Sequence, residues 1–122
     1  MMKIALIAHN GKKADLVSFV LQHLVLFQKV ELYTTATTGE HMEKAGLEVT
    51  KVLSGPLGGD AQIAAMVATE ELDLVIFFRD PLDKHPHEPD VQMLMRVCDV
   101  HNIPLATNYA AAMLIMKGLN VD

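Results

Sequence analysis

Residues 74–78 read Leu-Val-Ile-Phe-Phe. Alternate residues of a strand point to opposite faces, so five consecutive apolar side chains, branched or aromatic, need a strand covered on both sides. That is the situation of parallel strands in α/β domains. Outward from this run, four more short segments read as strands: Ile4 to Ala8, Val30 to Tyr33, Val49 to Leu53, and Pro104 to Thr107. Between them, apolar residues fall at helical spacing: Leu16, Val17, Val20, Leu21 and Leu24; Met42 and Ala45; Ile63, Ala64, Val67 and Leu72; Val91, Leu94, Met95 and Cys98; and a last group around Met113 to Met116. Alternating strand and helix makes the strands parallel with right-handed crossovers. The expected fold is α/β: a three-layer, doubly wound, Rossmann-like sheet of about five mainly parallel strands with helices on both faces.

The 122 residues fit one domain spanning 1–122 and leave too little length for two cores. With 51% hydrophobic and 20% charged residues, the chain can bury a core, which excludes disorder as its main state. Ten Lys and Arg against fifteen Asp and Glu give a net charge of −5 with no basic cluster, so nucleic acid is not an expected partner. Cys98 has no second cysteine to pair with and lies with Val97 and Val100 in a run read as the buried side of a helix, which fits a reducing cytoplasm. The apolar start ends at His9-Asn10 before reaching signal-peptide length. Leu16 to Phe27 is broken by Gln22 and His23, well short of the roughly 20 apolar residues of a bilayer span. Neither export nor a membrane span is expected.

In open α/β sheets ligands bind beyond the carboxyl ends of the strands. The residues there are polar or glycine-rich: His9-Asn10-Gly11-Lys12-Lys13, Thr34 to Gly39, Ser54-Gly55-Pro56-Leu57-Gly58-Gly59-Asp60, Arg79-Asp80-Pro81 running on to His85-Pro86-His87-Glu88-Pro89-Asp90, and Asn108. The threonines, the glycine loop and Lys13 suit a phosphate or another small anion at helix N-termini. The alternative is that Thr37 and Thr38 cap a helix and the glycines turn the chain. Neither the P-loop spacing nor G-x-G-x-x-G is present, so a nucleotide is not supported.

Asp60 and Asp90 each stand where a helix cap would. Gathered in one cleft with His9 and His87, they also form an acid and base set able to move protons next to a carbonyl. Asp80-Pro81 reads as a turn that holds its loop. His85 and His87 are two apart, but the motifs of a zinc or calcium site are missing, so no metal is expected. His23, His41 and His101 fall in predicted helices, where a solvated or core-edge histidine is ordinary. Most of the eight methionines sit at apolar helix positions and read as core filler.

From Ile4 to about Gly118 the sequence resembles the methylglyoxal synthase family. The resemblance is carried by Ala-His-Asn at 8–10, Thr-Thr-Gly at 37–39, Ser-Gly-Pro-Leu-Gly-Gly-Asp at 54–60, Phe-Phe-Arg-Asp-Pro-Leu at 77–82, Pro-His-Glu-Pro-Asp at 86–90 and Pro-Leu-Ala-Thr-Asn at 104–108. It implies a cytoplasmic homohexameric lyase, a bypass of glycolysis, that turns dihydroxyacetone phosphate into methylglyoxal and inorganic phosphate without metal or organic cofactor. By the same resemblance Asp60 is the base that takes a proton beside the carbonyl, with Asp90 as its partner. His87 and His9 face the substrate oxygens. Lys13, Thr35, Thr37, Thr38, Ser54 and Gly55 cradle the phosphate, and Asn10 and Asp80 support the site. Triosephosphate isomerases likewise set a carboxylate base beside a neutral histidine.

Three positions depart from that pattern: Asn10 stands where aspartate is usual, Ala36 where glycine is common, and Ala61 where glutamine is usual. The family also carries an arginine beyond the point corresponding to Asp122, reaching a neighbouring subunit's phosphate, whereas the arginines here are Arg79 and Arg96. Weaker phosphate binding or subunit coupling is the expectation. The alternative function is a non-catalytic phosphate-binding regulatory module of the same fold.

Overall fold

The structure is a computed structural model that describes residues 1–119. The expectation attached to the end at Asp122 lies outside these residues. Strand β1 (Lys3–Ala8) passes through a 3-10 turn at Asn10–Lys12 into α1 (Lys13–Gln22) and the single turn α2 (Leu24–Phe27). Next come β2 (Glu31–Thr34), α3 (Ala36–Lys44) and β3 (Thr50–Lys51). A second 3-10 turn at Gly55–Leu57 opens α4 (Gly59–Ala68), followed by β4 (Leu74–Phe78), α5 (Glu88–Val100), β5 (Leu105–Ala106) and α6 (Tyr109–Leu119). The sheet order is β3-β2-β1-β4-β5 and every pairing is parallel.

All five residues of β4 are buried, as its unbroken apolar run requires. Ile4, Leu6 and Ala8 of β1 face one layer with Leu74, Ile76 and Phe78, against Leu16, Phe19 and Val20 of α1, Met42 of α3, and Ala112 and Met116 of α6. Ala5, Ile7, Val75 and Phe77 face the other, against Ile63, Ala64 and Val67 of α4 and Val91, Leu94 and Cys98 of α5. Each fully buried Leu, Ile or Phe contributes about 1.5–3 kcal/mol by leaving water, so the two layers together fix β1 and β4 as the rigid centre.

Three expectations are modified. The run Val49 to Leu53 forms only a two-residue edge strand with both residues exposed; Leu53 N–H instead donates to Gln62 Oε1 at 2.8 Å. The helix read through Leu24 breaks at His23, whose backbone leaves the helical region (φ −127°, ψ 30°) while its Nδ1–H donates to the Phe19 carbonyl at 3.0 Å. Cys98 is fully buried, but Val100 is 62% exposed and lies off the buried side.

The strand order sets the position of the site. β2 and β3 lie to one side of β1, and β4 and β5 to the other, so the crevice between the carboxyl ends of β1 and β4 is the topological switch point.

Candidate active site

A cleft of about 390 Å³ opens at that switch point, lined by His9, Asn10, Lys13, Thr35, Thr37, Ser54, Gly55, Asp60, His85 and His87 among others. His9 follows β1 directly and is 6% exposed. The Asp80 backbone N–H donates to its Nδ1 at 2.8 Å. A backbone amide can only donate, so Nδ1 carries the lone pair and the neutral ring's hydrogen is on Nε2. Among the described residues Nε2 is buried without a hydrogen-bond partner. Burial first, then His85, His87 and Arg79, holds the His9 pKa down at about 4. The ring is therefore a neutral donor at physiological pH.

Asp60 sits in the first turn of α4, after the left-handed Gly58 (φ 105°) that swings the chain from the 3-10 turn into the helix. Capping does not explain it: the N-cap is Gly58, and neither Asp60 oxygen has a hydrogen-bond partner among the described residues although the residue is 1% exposed. His87 Nε2 stands 3.5 Å from Oδ2. Burial pushes the Asp60 pKa above its ordinary value, His87 opposes that, Asp90 adds to it, and Lys13 opposes it. A buried carboxylate short of partners is a stronger base than a solvated one. Gly55 lets the loop pass close by, since a Cβ there would stand 2.9 Å from His87 Nε2 and 3.4 Å from Asp60 Oδ1.

The anion side of the cleft is built from Lys13, Thr35, Thr37, Ser54 and Gly55. Lys13 Nζ donates to the Ala8 carbonyl at 2.7 Å and to Asn10 Oδ1 at 3.0 Å, so Asn10 acts as a neutral acceptor that orients the ammonium. Burial pulls the Lys13 pKa down while Asp60 resists. Among the described residues no threonine hydroxyl caps α3, whose N-cap Thr35 makes no capping bond.

Other candidates stand outside the lining. Thr38, 1% exposed, accepts from Ala8 N–H at 3.3 Å and from Thr35 Oγ1–H at 3.2 Å, so its hydroxyl braces the threonine loop from beneath. Asp80 accepts from Leu82 N–H at 3.2 Å, the turn expected of Asp-Pro. Asp90 lies in the first turn of α5, half-buried, and acts on Asp60 through its charge. By spacing alone His85 relates only to His87, as half of a metal pair, yet its ring stacks on His9 with centroids 3.6 Å apart. No spacing signal relates position 85 to position 9; the contact exists because β1 and β4 are neighbours.

A doubly wound α/β domain with a buried carboxylate and a neutral imidazole donor in one polar cleft has the features of an acid–base enzyme acting on a small molecule. Residues 15–107 match the family described as MGS-like domain, and the chain belongs to the methylglyoxal synthase family. It is 59% identical over 121 residues to the methylglyoxal synthase of Carboxydothermus hydrogenoformans, covering 98% of this chain and 100% of that one. It is 59% identical over 119 residues to that of Bacillus mycoides, covering 97% and 91%. The crystal structure of methylglyoxal synthase from Elizabethkingia anophelis NUHP1 superposes with a TM-score of 0.88 at 46% identity, covering 94% of this chain and 76% of that one.

Proposed function

We propose that this chain converts dihydroxyacetone phosphate to methylglyoxal and inorganic phosphate, with Asp60 as the base. The observation that carries the residue roles is the pair of buried, unpartnered groups in one cleft, the Asp60 carboxylate and His9 Nε2–H. Lys13, Thr35, Thr37, Ser54 and the Gly55 amide receive the phosphate, and Thr38 holds their loop in shape. Asp60 removes a proton from the carbon beside the carbonyl, and the C–H electron pair becomes an enediolate. Its oxygen develops charge against preorganised donors at His9 and His87, the contribution that dominates such reactions. The C–O bond to phosphate then breaks, its electron pair leaves with the phosphate, and the resulting neutral enol gains a proton at its methylene carbon and gives up its hydroxyl proton to become methylglyoxal. The cradle decides this outcome: a C–O bond held perpendicular to the enediolate plane overlaps the π system and departs, whereas one held in plane is kept. Asp90 tunes Asp60 by its charge.

The whole chain is read as a single domain working as a cytoplasmic homo-oligomer, hexameric by the family pattern. Among the described residues no helix is long and apolar enough to cross a membrane, and the free Cys98 is buried. The test is to follow methylglyoxal and phosphate released from dihydroxyacetone phosphate by the purified protein and by Asp60→Asn. The variant is expected to lose on the order of 10²-fold or more. Full activity in Asp60→Asn removes Asp60 as the base, and phosphate binding without turnover in the wild type favours the regulatory module.

A further inference from the structure

A donor that meets developing charge works only if its ring is held in one plane. The Nδ1 side of His9 is fixed by Asp80 N–H, and Phe77 meets it edge-on at 5.0 Å. Its face is covered by His85, with ring centroids 3.6 Å apart and 21° between planes. His85 is itself tethered. Its Nε2 lies 3.3 Å from the Asp80 carbonyl, and a carbonyl only accepts, so Nε2–H donates. Asp80 thus gives its main-chain N–H to one imidazole and takes a hydrogen bond from the other with its main-chain oxygen, holding the two rings as a stack. Pro86 restricts the backbone of His85 as well. His85 also lines both the cleft and a second cavity on the outer side of the β4–α5 loop, bordered by Arg79, Asp83 and Glu88. Together with Asp83 and Lys84, which also line both, it forms the wall between them.

We infer that His85 is a positioning residue for the reaction: it stacks on His9, keeps the imidazole in the plane that presents Nε2–H to the substrate oxygen, and shields that oxygen from water entering along the β4–α5 loop. The inference rests on the reading of His9 as the oxygen-facing donor of the lyase. Without the stack the enediolate is less firmly held and more exposed. More of it then regains a proton at carbon before the C–O bond breaks, regenerating substrate that carries solvent hydrogen.

The experiment is turnover of dihydroxyacetone phosphate in heavy water by the wild type, His85→Ala, His85→Leu and His85→Phe. The readouts are kcat, deuterium in recovered substrate per methylglyoxal formed, and affinity for inorganic phosphate. His85→Ala is expected to lose about tenfold in kcat, the effect of a loosened catalytic group, to raise the deuterium ratio, and to leave phosphate affinity unchanged. His85→Leu fills the same space without a flat ring and should behave like alanine; it carries the test if the alanine variant does not fold. His85→Phe restores the flat ring and should recover kcat and lower the ratio. Wild-type kcat and deuterium ratio in His85→Leu, or losses that phenylalanine does not rescue, overturn the inference. Turnover indifferent to residue 85 defeats this inference alone, whereas a wild type that makes no methylglyoxal defeats the lyase reading and this one with it.

Discussion

Asp60→Asn separates stability from activity. The carboxylate is 1% exposed, without a hydrogen-bond partner among the described residues, and burial raises its pKa above the ordinary 3.8. A carboxyl whose native pKa is raised binds its proton more tightly folded than unfolded. Below 3.8 both states are neutral and nothing is lost; as pH climbs through the raised native pKa, the folded state alone bears a poorly solvated charge and stability falls. Asparagine keeps the shape and removes the charge. An unsatisfied buried group costs about 1–3 kcal/mol, and since the amide still lacks partners we take about 1–2 kcal/mol as the gain. For a chain of 122 residues this is a rise of about 4–8 °C in Tm at neutral pH. Methylglyoxal production falls by about 10²-fold or more in the same protein. The assay is a thermal melt of both proteins at neutral pH and at steps downward through the carboxylate range, beside the turnover assay. The Tm gap should be widest at neutral pH and close as Asp60 takes up its proton. A variant that melts lower than the wild type, or a gap independent of pH, refutes the argument.

Three further outcomes are expected. Lys13→Met removes the one cation among the cradle residues Lys13, Thr35, Thr37, Ser54 and Gly55; a charge-assisted hydrogen bond contributes about 1.5–3 kcal/mol, so steady-state kinetics should show KM rising by roughly 10–100-fold. Gly55→Ala places a Cβ 2.9 Å from His87 Nε2, and a displaced His87 should cost about tenfold or more in kcat while circular dichroism shows the fold retained. Burial raises the Asp60 pKa above 3.8, so kcat/KM should fall in acid as that carboxylate takes up its proton, and because His9 stays neutral down to about pH 4, nitrogen NMR should find it as the Nε2–H tautomer across the neutral range.

The fold was legible wherever burial was two-sided. Leu74 to Phe78 forms β4 residue for residue and Ile4 to Ala8 lies within β1, because only a strand covered on both faces buries five successive apolar side chains in so short a span. Val49 to Leu53 shrank to Thr50–Lys51, since at the sheet edge pairing is set by the neighbour's register with Tyr33 and Thr34, and hydrophobicity does not report that. Among site residues, sequence placed Asp60 and Thr37 correctly beyond their strands but could not separate a cap from a functional group. That distinction depends on which backbone N–H groups a side chain reaches, and only the three-dimensional arrangement shows that Asp60 caps none and has His87 as its neighbour instead. The His85 stack was illegible for a related reason: it joins loops 76 positions apart in sequence, brought together by the parallel pairing of β1 with β4.

The group that decides which nitrogen of His9 bears the hydrogen belongs to the polypeptide itself, not to any side chain. Nineteen of the twenty common amino acids supply that amide; proline alone does not. Drift at position 80 therefore leaves the protonation pattern of His9 intact as long as the loop keeps its path. The chemistry of this imidazole is inherited from the architecture, and a lineage can exchange the residue opposite it without relearning where the proton sits.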